Sequence, residues 1–251
     1  MKVFPVVKIV PLLLLAAAWQ TASVSRLLPA SVLPSFWDVA ASLGAMMRSG
    51  ELITHTLASF ARAGGGFFLA VGIGIALGLL MARIRIVERA LEPILLLIYP
   101  VPKPAMIPLF MVWLGIGNAS KVAVIVLACL LPIVNTTFNG VRSVDQTLIW
   151  SAQARGTSSR RLLWRVVLPA ALPQIATGVR TAIAIAIIVM VSSEFIASES
   201  GLGYLIFSYG GVGADDAMLA VVIYLATLGF LVDRCYLAGL QHLIAWHAFA
   251  H

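Results

Sequence analysis

The chain has 251 residues, 61% of them hydrophobic and only 11% charged, with 17 Lys and Arg against 10 Asp and Glu for a formal net charge of +7. Soluble domains carry roughly 45–50% apolar and about 25% charged residues, so this chain has too few charges to wet a surface and needs lipid to cover it. That setting argues against nucleic acid as the partner of the excess charge, because in a membrane protein the placement of Lys and Arg matters more than their sum.

Six candidate spans occur in order, several approaching the ~20 residues that a bilayer crossing needs. They cover residues 3–19, 54–82, 94–114, 122–138, 175–197 and 218–240. The first is the weakest: Lys2, Lys8 and the run to Trp19, with Ala16-Ala17-Ala18, fit a retained helix or a signal peptide. In both cases the chain after Trp19 starts on the outer side. The expected fold class is all-α integral membrane, six transmembrane helices in a single membrane domain over residues 1–251.

With a cytoplasmic amino terminus, the inner side receives Lys2, Lys8, Arg83, Arg85, Arg89, Arg142, Arg155, Arg160, Arg161, Arg165, Arg180 and Arg234. Arg26, Arg48 and Lys121 fall outside, and Arg62 and Lys103 lie within spans. The outer loop after the fifth span has Glu199, Asp215 and Asp216 and no base. This asymmetry follows the positive-inside rule and places both termini in the cytoplasm.

Residues 139–174 form the longest inner loop. Arg155, Arg160, Arg161 and Arg165 stand beside Trp150, Leu162, Leu163 and Trp164, punctuated by Gly156 and Pro169. The pattern reads as short helices with a basic and an apolar face. Such a face is buried on the bilayer surface or on a partner protein.

Inside the spans, Tyr99-Pro100-Val101-Pro102-Lys103-Pro104 cannot form a regular helix. Irregular backbone at membrane depth lines a wet cavity or is buried in protein, and a Lys there is a functional candidate. Two readings stand: Lys103 faces a translocation path, or it snorkels or pairs with an acid such as Glu194. Glu194 itself reads as part of a gate, a subunit interface or an ion pair. Ala70, Gly74 and Gly78 recur every four residues, a spacing that lets membrane helices pack closely. The glycines do not make a dinucleotide fingerprint.

No catalytic set is present. His55, His242, His247 and His251 form no metal-ligand pattern, Cys129 and Cys235 lack paired spacing, and no phosphate loop occurs. No metal or cofactor is expected in this chain, and it is not expected to hydrolyse ATP.

A family resemblance rests on several stretches in order. Ser151-Ala152-Gln153-Ala154-Arg155-Gly156 is followed by Leu168-Pro169, with Pro169 thirteen positions after Gly156. Around it stand Ile107-Pro108-Leu109, Trp113-Leu114-Gly115-Ile116-Gly117, Gly178-Val179-Arg180, Ser193-Glu194-Phe195 and Gly201-Leu202-Gly203-Tyr204. Together these resemble the permease subunits of binding-protein-dependent ATP-driven importers, most closely those for nitrate, sulfonates, taurine and related anions. Trp150 departs from the pattern, standing where the family usually has a carboxylate, and Arg155 replaces a common hydrophobic residue.

The resemblance implies a bacterial inner-membrane protein acting as two copies with two cytoplasmic ATPases, which bind ATP and Mg, and an external solute-binding protein. It implies that residues 139–174 hold a coupling helix docking on the ATPase through Trp150, Ala152, Gln153, Arg155, Gly156, Leu162, Leu163, Leu168 and Pro169. A membrane-embedded enzyme would need clustered His, Asp or Glu, and Lys103 with Glu194 is too thin a set. A stand-alone secondary transporter or channel is the principal alternative. Arg26, Arg48 and Lys103 favour an anionic solute.

Overall fold

The computed structural model describes residues 5–25, 29, 32–196 and 198–243. The expectations attached to Lys2, Arg26, His247 and His251, and to the outer limits of the first and fifth spans, lie outside these residues. Among the described residues all regular structure is helical. In chain order the helices are α1 (Pro5–Val24), α2 (Phe36–Arg48), α3 (Glu51–Arg83), α4 (Arg85–Ile98), α5 (Ile107–Leu114), α6 (Asn118–Arg142), α7 (Gln146–Ala154), α8 (Ser159–Leu162), α9 (Leu168–Ile196), α10 (Leu202–Gly211) and α11 (Asp215–Leu243). A 3-10 turn, Lys103–Met106, precedes α5, and a π segment, Leu163–Val167, joins α8 to α9.

Among the described residues, four helices are long and apolar enough to cross a membrane: Glu51–Arg83, Asn118–Arg142, Ser159–Ile196 and Asp215–His242. The third expected span, residues 94–114, is not one rod; α4 and the Lys103–Leu114 helix meet at 95°. Pro100, Pro102 and Pro104 cause the break, since proline removes the amide donor and clashes with the preceding turn. The second, fourth and sixth spans extend past the apolar windows, because helix hydrogen bonds continue through polar residues after hydropathy falls. For the same reason Lys121, expected outside, is a buried residue of α6. The fifth span begins well before residue 175, so half of the expected inner loop belongs to the Ser159–Ile196 helix.

The chain divides into two compact units. One comprises Met1–Ser59 and Ser198–Leu228. Its core joins Val39, Met46, Leu52, Leu202, Leu205, Ala220 and Val221. Polar ties hold its helices together. The Trp19 indole donates to the Pro34 carbonyl at 3.0 Å, the Thr56 hydroxyl to Tyr224 at 3.2 Å, and the Ser42 hydroxyl to Asp216. The N-terminus of α10 is capped by α3: Gly201 N–H donates to His55 Nδ1 at 2.9 Å and Leu202 N–H to Ser59 Oγ at 2.7 Å. These bonds satisfy donors that a helix start leaves without partners. Tyr209 donates to Glu51 at 2.8 Å; burial and that carboxylate push its phenol up to about 12.

The second unit, Phe60–Ala197 with Gly229–His251, is built on close approach. A Cβ at Gly74 would lie 2.8 Å from Ile133 Cγ2, and one at Gly78 would lie 2.6 Å from Thr137 Cβ and 2.8 Å from the Val134 carbonyl. Ala70, in the same stripe, is fully buried. Gly66, one step earlier in the same register, extends the stripe by a turn: a Cβ there would lie 2.6 Å from Ile125 Cγ2. On its other flank α6 receives α9, where a Cβ at Gly178 would clash with Thr136. Small residues at helix contacts let dispersion act where lipid removes the hydrophobic driving force.

Candidate translocation and docking sites

Ionic groups in the second unit converge where α3, α6 and α9 meet. Arg62 Nη1 donates to Glu194 Oε1 at 2.6 Å and Arg62 Nε to Asn118 Oδ1 at 2.7 Å. Both members of the ion pair are buried, with side-chain exposures of 8% and 0%. Lys121 lies in the electrostatic field of both. Glu194 thus pairs with Arg62, not with Lys103. A buried ion pair is held by mutual attraction against a large desolvation cost, and the third charge makes the carboxylate the counter-ion of two cations.

Lys103 lies at the 95° bend and turns back on the preceding helix. Its ammonium donates to the carbonyls of Ile98 at 2.9 Å, Tyr99 at 3.0 Å and Val101 at 2.5 Å. It borders a cavity of about 380 Å³ whose other walls include Leu131, Pro132 and Thr181. A neighbouring cavity of about 290 Å³ is lined by Glu92, Asn135 and Phe138 among others, and Tyr99 and Leu131 border both.

Most of the residues expected to dock on a partner lie on the hairpin from α7 to α8; Leu163 falls in the π segment and Leu168 and Pro169 open α9. Asp145 opens α7: its carboxylate accepts the Thr147 N–H at 2.8 Å, and that bond holds its carboxyl below the usual range. Gly156 closes α7 with φ +73°. Thr157 N–H reaches the Ala152 carbonyl at 3.1 Å, and Gly156 N–H the Gln153 carbonyl at 2.8 Å. This pair of bonds is a Schellman cap, which needs a left-handed residue and so favours glycine. Nothing lies within 4 Å of a Cβ placed there, so the requirement is conformational.

Around the hairpin the structure separates residues that the sequence had grouped. Leu162, Leu163 and Leu168 pack on the chain's own cluster of Val144, Val167, Ala171 and Ile175. They are half-buried against that cluster, which anchors the hairpin. Trp150 and Trp164 are each 63% exposed, and Leu148 is half exposed. Gln153, Arg155, Arg160 and Arg161 are exposed around them and Ala152 is half-buried. Pro169 is the second residue of α9, directly after the π segment, so its missing amide falls where the helical hydrogen-bond ladder is already irregular. Leu148, Gly66 and Arg62 were not singled out from sequence; for Leu148 the signal was its place two residues before Trp150.

Long apolar helices, a proline-broken pair and a basic segment between two spans are features of the membrane subunit of a transporter. The chain belongs to the family of binding-protein-dependent transport system inner membrane components, whose pattern matches residues 70–238. It is 35% identical over 243 residues to the taurine transport system permease protein TauC of Escherichia coli K12, covering 94% of this chain and 88% of that one. The putative aliphatic sulfonates transport permease protein SsuC of Bacillus subtilis is 33% identical, covering 92% and 83%. The riboflavin transport system permease protein RibX of Chloroflexus aurantiacus is 40% identical, covering 95% and 89%. Among solved structures, an inward-facing MetNI methionine ABC transporter matches with TM-score 0.59 at 22% identity, over 72% of this chain and 92% of that one. An amino acid ABC transporter crystallised with histidines gives TM-score 0.61 at 16% identity, over 81% and 97%. The protein is therefore a multi-pass permease subunit of an ABC importer, and the stand-alone transporter or channel is set aside.

Proposed function

We propose that two copies of this chain form the path by which a small anionic organic solute, of the sulfonate or taurine class, enters the cytoplasm. An external binding protein delivers the solute. Two ATPases, which carry the ATP and Mg, dock on the α7–α8 hairpin. Six spans are read here by adding α1 and the bent pair to the four long helices, with both termini inside. The solute class is favoured by the names of the taurine and sulfonate relatives and by Lys103 at the edge of a cavity; the riboflavin relative argues for testing it directly.

The observation that carries the docking reading is the hairpin. A segment with a cap at each end of α7 exposes Trp150 and, just past α8, Trp164, beside several arginines. Isolated short helices are marginal in water, so this segment is held in shape by its caps and by Leu162 and Leu163. What remains outside is an aromatic and arginine surface, the composition of interface hot spots.

The test is co-purification from detergent with the co-expressed ATPase. Wild type should retain it. Gly156→Arg should lose it while remaining monodisperse, because a left-handed non-glycine residue is strained by about 1–2 kcal/mol and the arginine projects from the docking face. A folded wild-type chain that retains no ATPase sinks the reading.

A further inference from the structure

The ammonium of Lys103 has three N–H bonds, and three backbone carbonyls take them. An ammonium has no further donor, so Lys103 is not arranged as a hydrogen-bonding ligand for a solute. Two of the three carbonyls belong to Ile98 and Tyr99, the last residue and the cap of α4. They form the negative end of that helix, equivalent to about half an elementary charge. Stripped of Lys103, the bend would present converging carbonyl oxygens, the arrangement with which proteins coordinate cations. Occupied by Lys103, the same point carries a net positive charge, the ammonium outweighing the helix end, with its hydrogen-bond demand already met.

That point stands beside open space. Lys103 and Tyr99 border the cavity of about 380 Å³ at the bend. The Tyr99 side chain is 64% exposed, and it also borders the neighbouring cavity of about 290 Å³. Tyr99 and Leu131 are thus the residues common to the walls of both cavities.

We infer that Lys103 sets the charge selectivity of the solute route from behind the backbone, and that position 99 is where the solute meets that field. The inference rests on the import of an anion proposed above. Lys103 is a positioning and specificity-determining residue: it cancels the carbonyl end of α4, holds Tyr99 at the junction of the cavities, and makes the junction favourable to anions. It does this without giving up a hydrogen bond.

The experiment uses the full chain in detergent with Cys235→Ser, which leaves buried Cys129 as the remaining native thiol. Tyr99→Cys is then labelled with two methanethiosulfonates, one bearing an ethylsulfonate and one an ethyltrimethylammonium. In both, the thiolate attacks the sulfenyl sulfur, a disulfide forms and methanesulfinate leaves, so the reagents differ in charge at similar size. Each rate is normalised to free cysteine. With Lys103 present the sulfonate reagent should be favoured several-fold. Lys103→Arg should keep that preference, and Lys103→Gln, with Lys103→Met as a second neutral variant, should reverse it. A ratio unchanged by removing the charge overturns the inference, as does a thiol at 99 that reacts with neither reagent in monodisperse protein. The assay needs no ATP and no binding protein, so failure of the importer reading, scored by ATPase co-purification, is seen separately.

Discussion

Arg62 and Lys103 are both cations in the membrane part of the second unit, and they are stabilised in opposite ways. Arg62 meets a carboxylate, Glu194, with Asn118 beside it. Lys103 meets three carbonyls. A carboxylate cancels charge, whereas carbonyls satisfy donors and leave the net charge in place. The first arrangement suits a closed helix junction. The second suits a wall facing a cavity, where a residual field acts on whatever enters.

Removing the acid should break the first arrangement most severely. Glu194→Gln leaves Arg62 and Lys121 buried without their counter-ion, and loss of one partner of a buried pair costs about 3–5 kcal/mol. The expected result is aggregation or a large fall in thermal unfolding temperature in detergent. Replacing Arg62, Lys121 and Glu194 together by Met should recover much of it, since apolar replacements of buried ionic groups are often neutral. A Glu194→Gln protein as stable as wild type would show that the junction does not depend on the pair.

Lys103→Met should be milder. Three carbonyls lose a donor, but two of the bonds are exposed and water replaces it. A loss of about 1 kcal/mol is expected, read as a small shift in the same unfolding assay. A loss as large as that of Glu194→Gln would mean that Lys103 is chiefly a fold determinant and would blunt the contrast.

The smallest effect belongs outside the membrane, at Asp145. Its folded carboxyl lies below the ordinary value because it accepts the Thr147 N–H. A depressed carboxylate contributes stability that is present above its unfolded pKa, near ~4, and is lost as pH falls through the folded value. Protection of the Thr147 amide against exchange should therefore fall in acid. Asp145→Asn keeps the acceptor and should flatten that dependence; a wild-type profile already flat would remove Asp145 from the account.

What the sequence made legible was local. Prolines 100, 102 and 104 announced the bend, and Gly156 announced a turn, because both act through their own backbone. The four-residue spacing of Ala70, Gly74 and Gly78 announced a packing face. Glu194's partner was not legible, since Arg62 lies 132 positions away and an equally plausible cation, Lys103, stood nearer in sequence. Leu162 and Leu163 read as apolar anchors within a regular helical period, and their packing on Val144, Val167, Ala171 and Ile175 was not legible from it. The π segment from Leu163 to Val167 alters that period, inserting a residue and rotating the start of α9 relative to α8. Lys121 looked like a loop residue for want of any local sign that its stem would be covered.

The Ser159–Ile196 helix has a mechanical consequence. Its 38 residues span about 57 Å at 1.5 Å per residue, with α8 at one end and Glu194 near the other. A push or twist on α8 is delivered along a single strut, stiff in compression, to the junction that Glu194 clamps. The π turn near its base is the compliant joint of that strut, the place where a stroke is either transmitted or absorbed as a change of register.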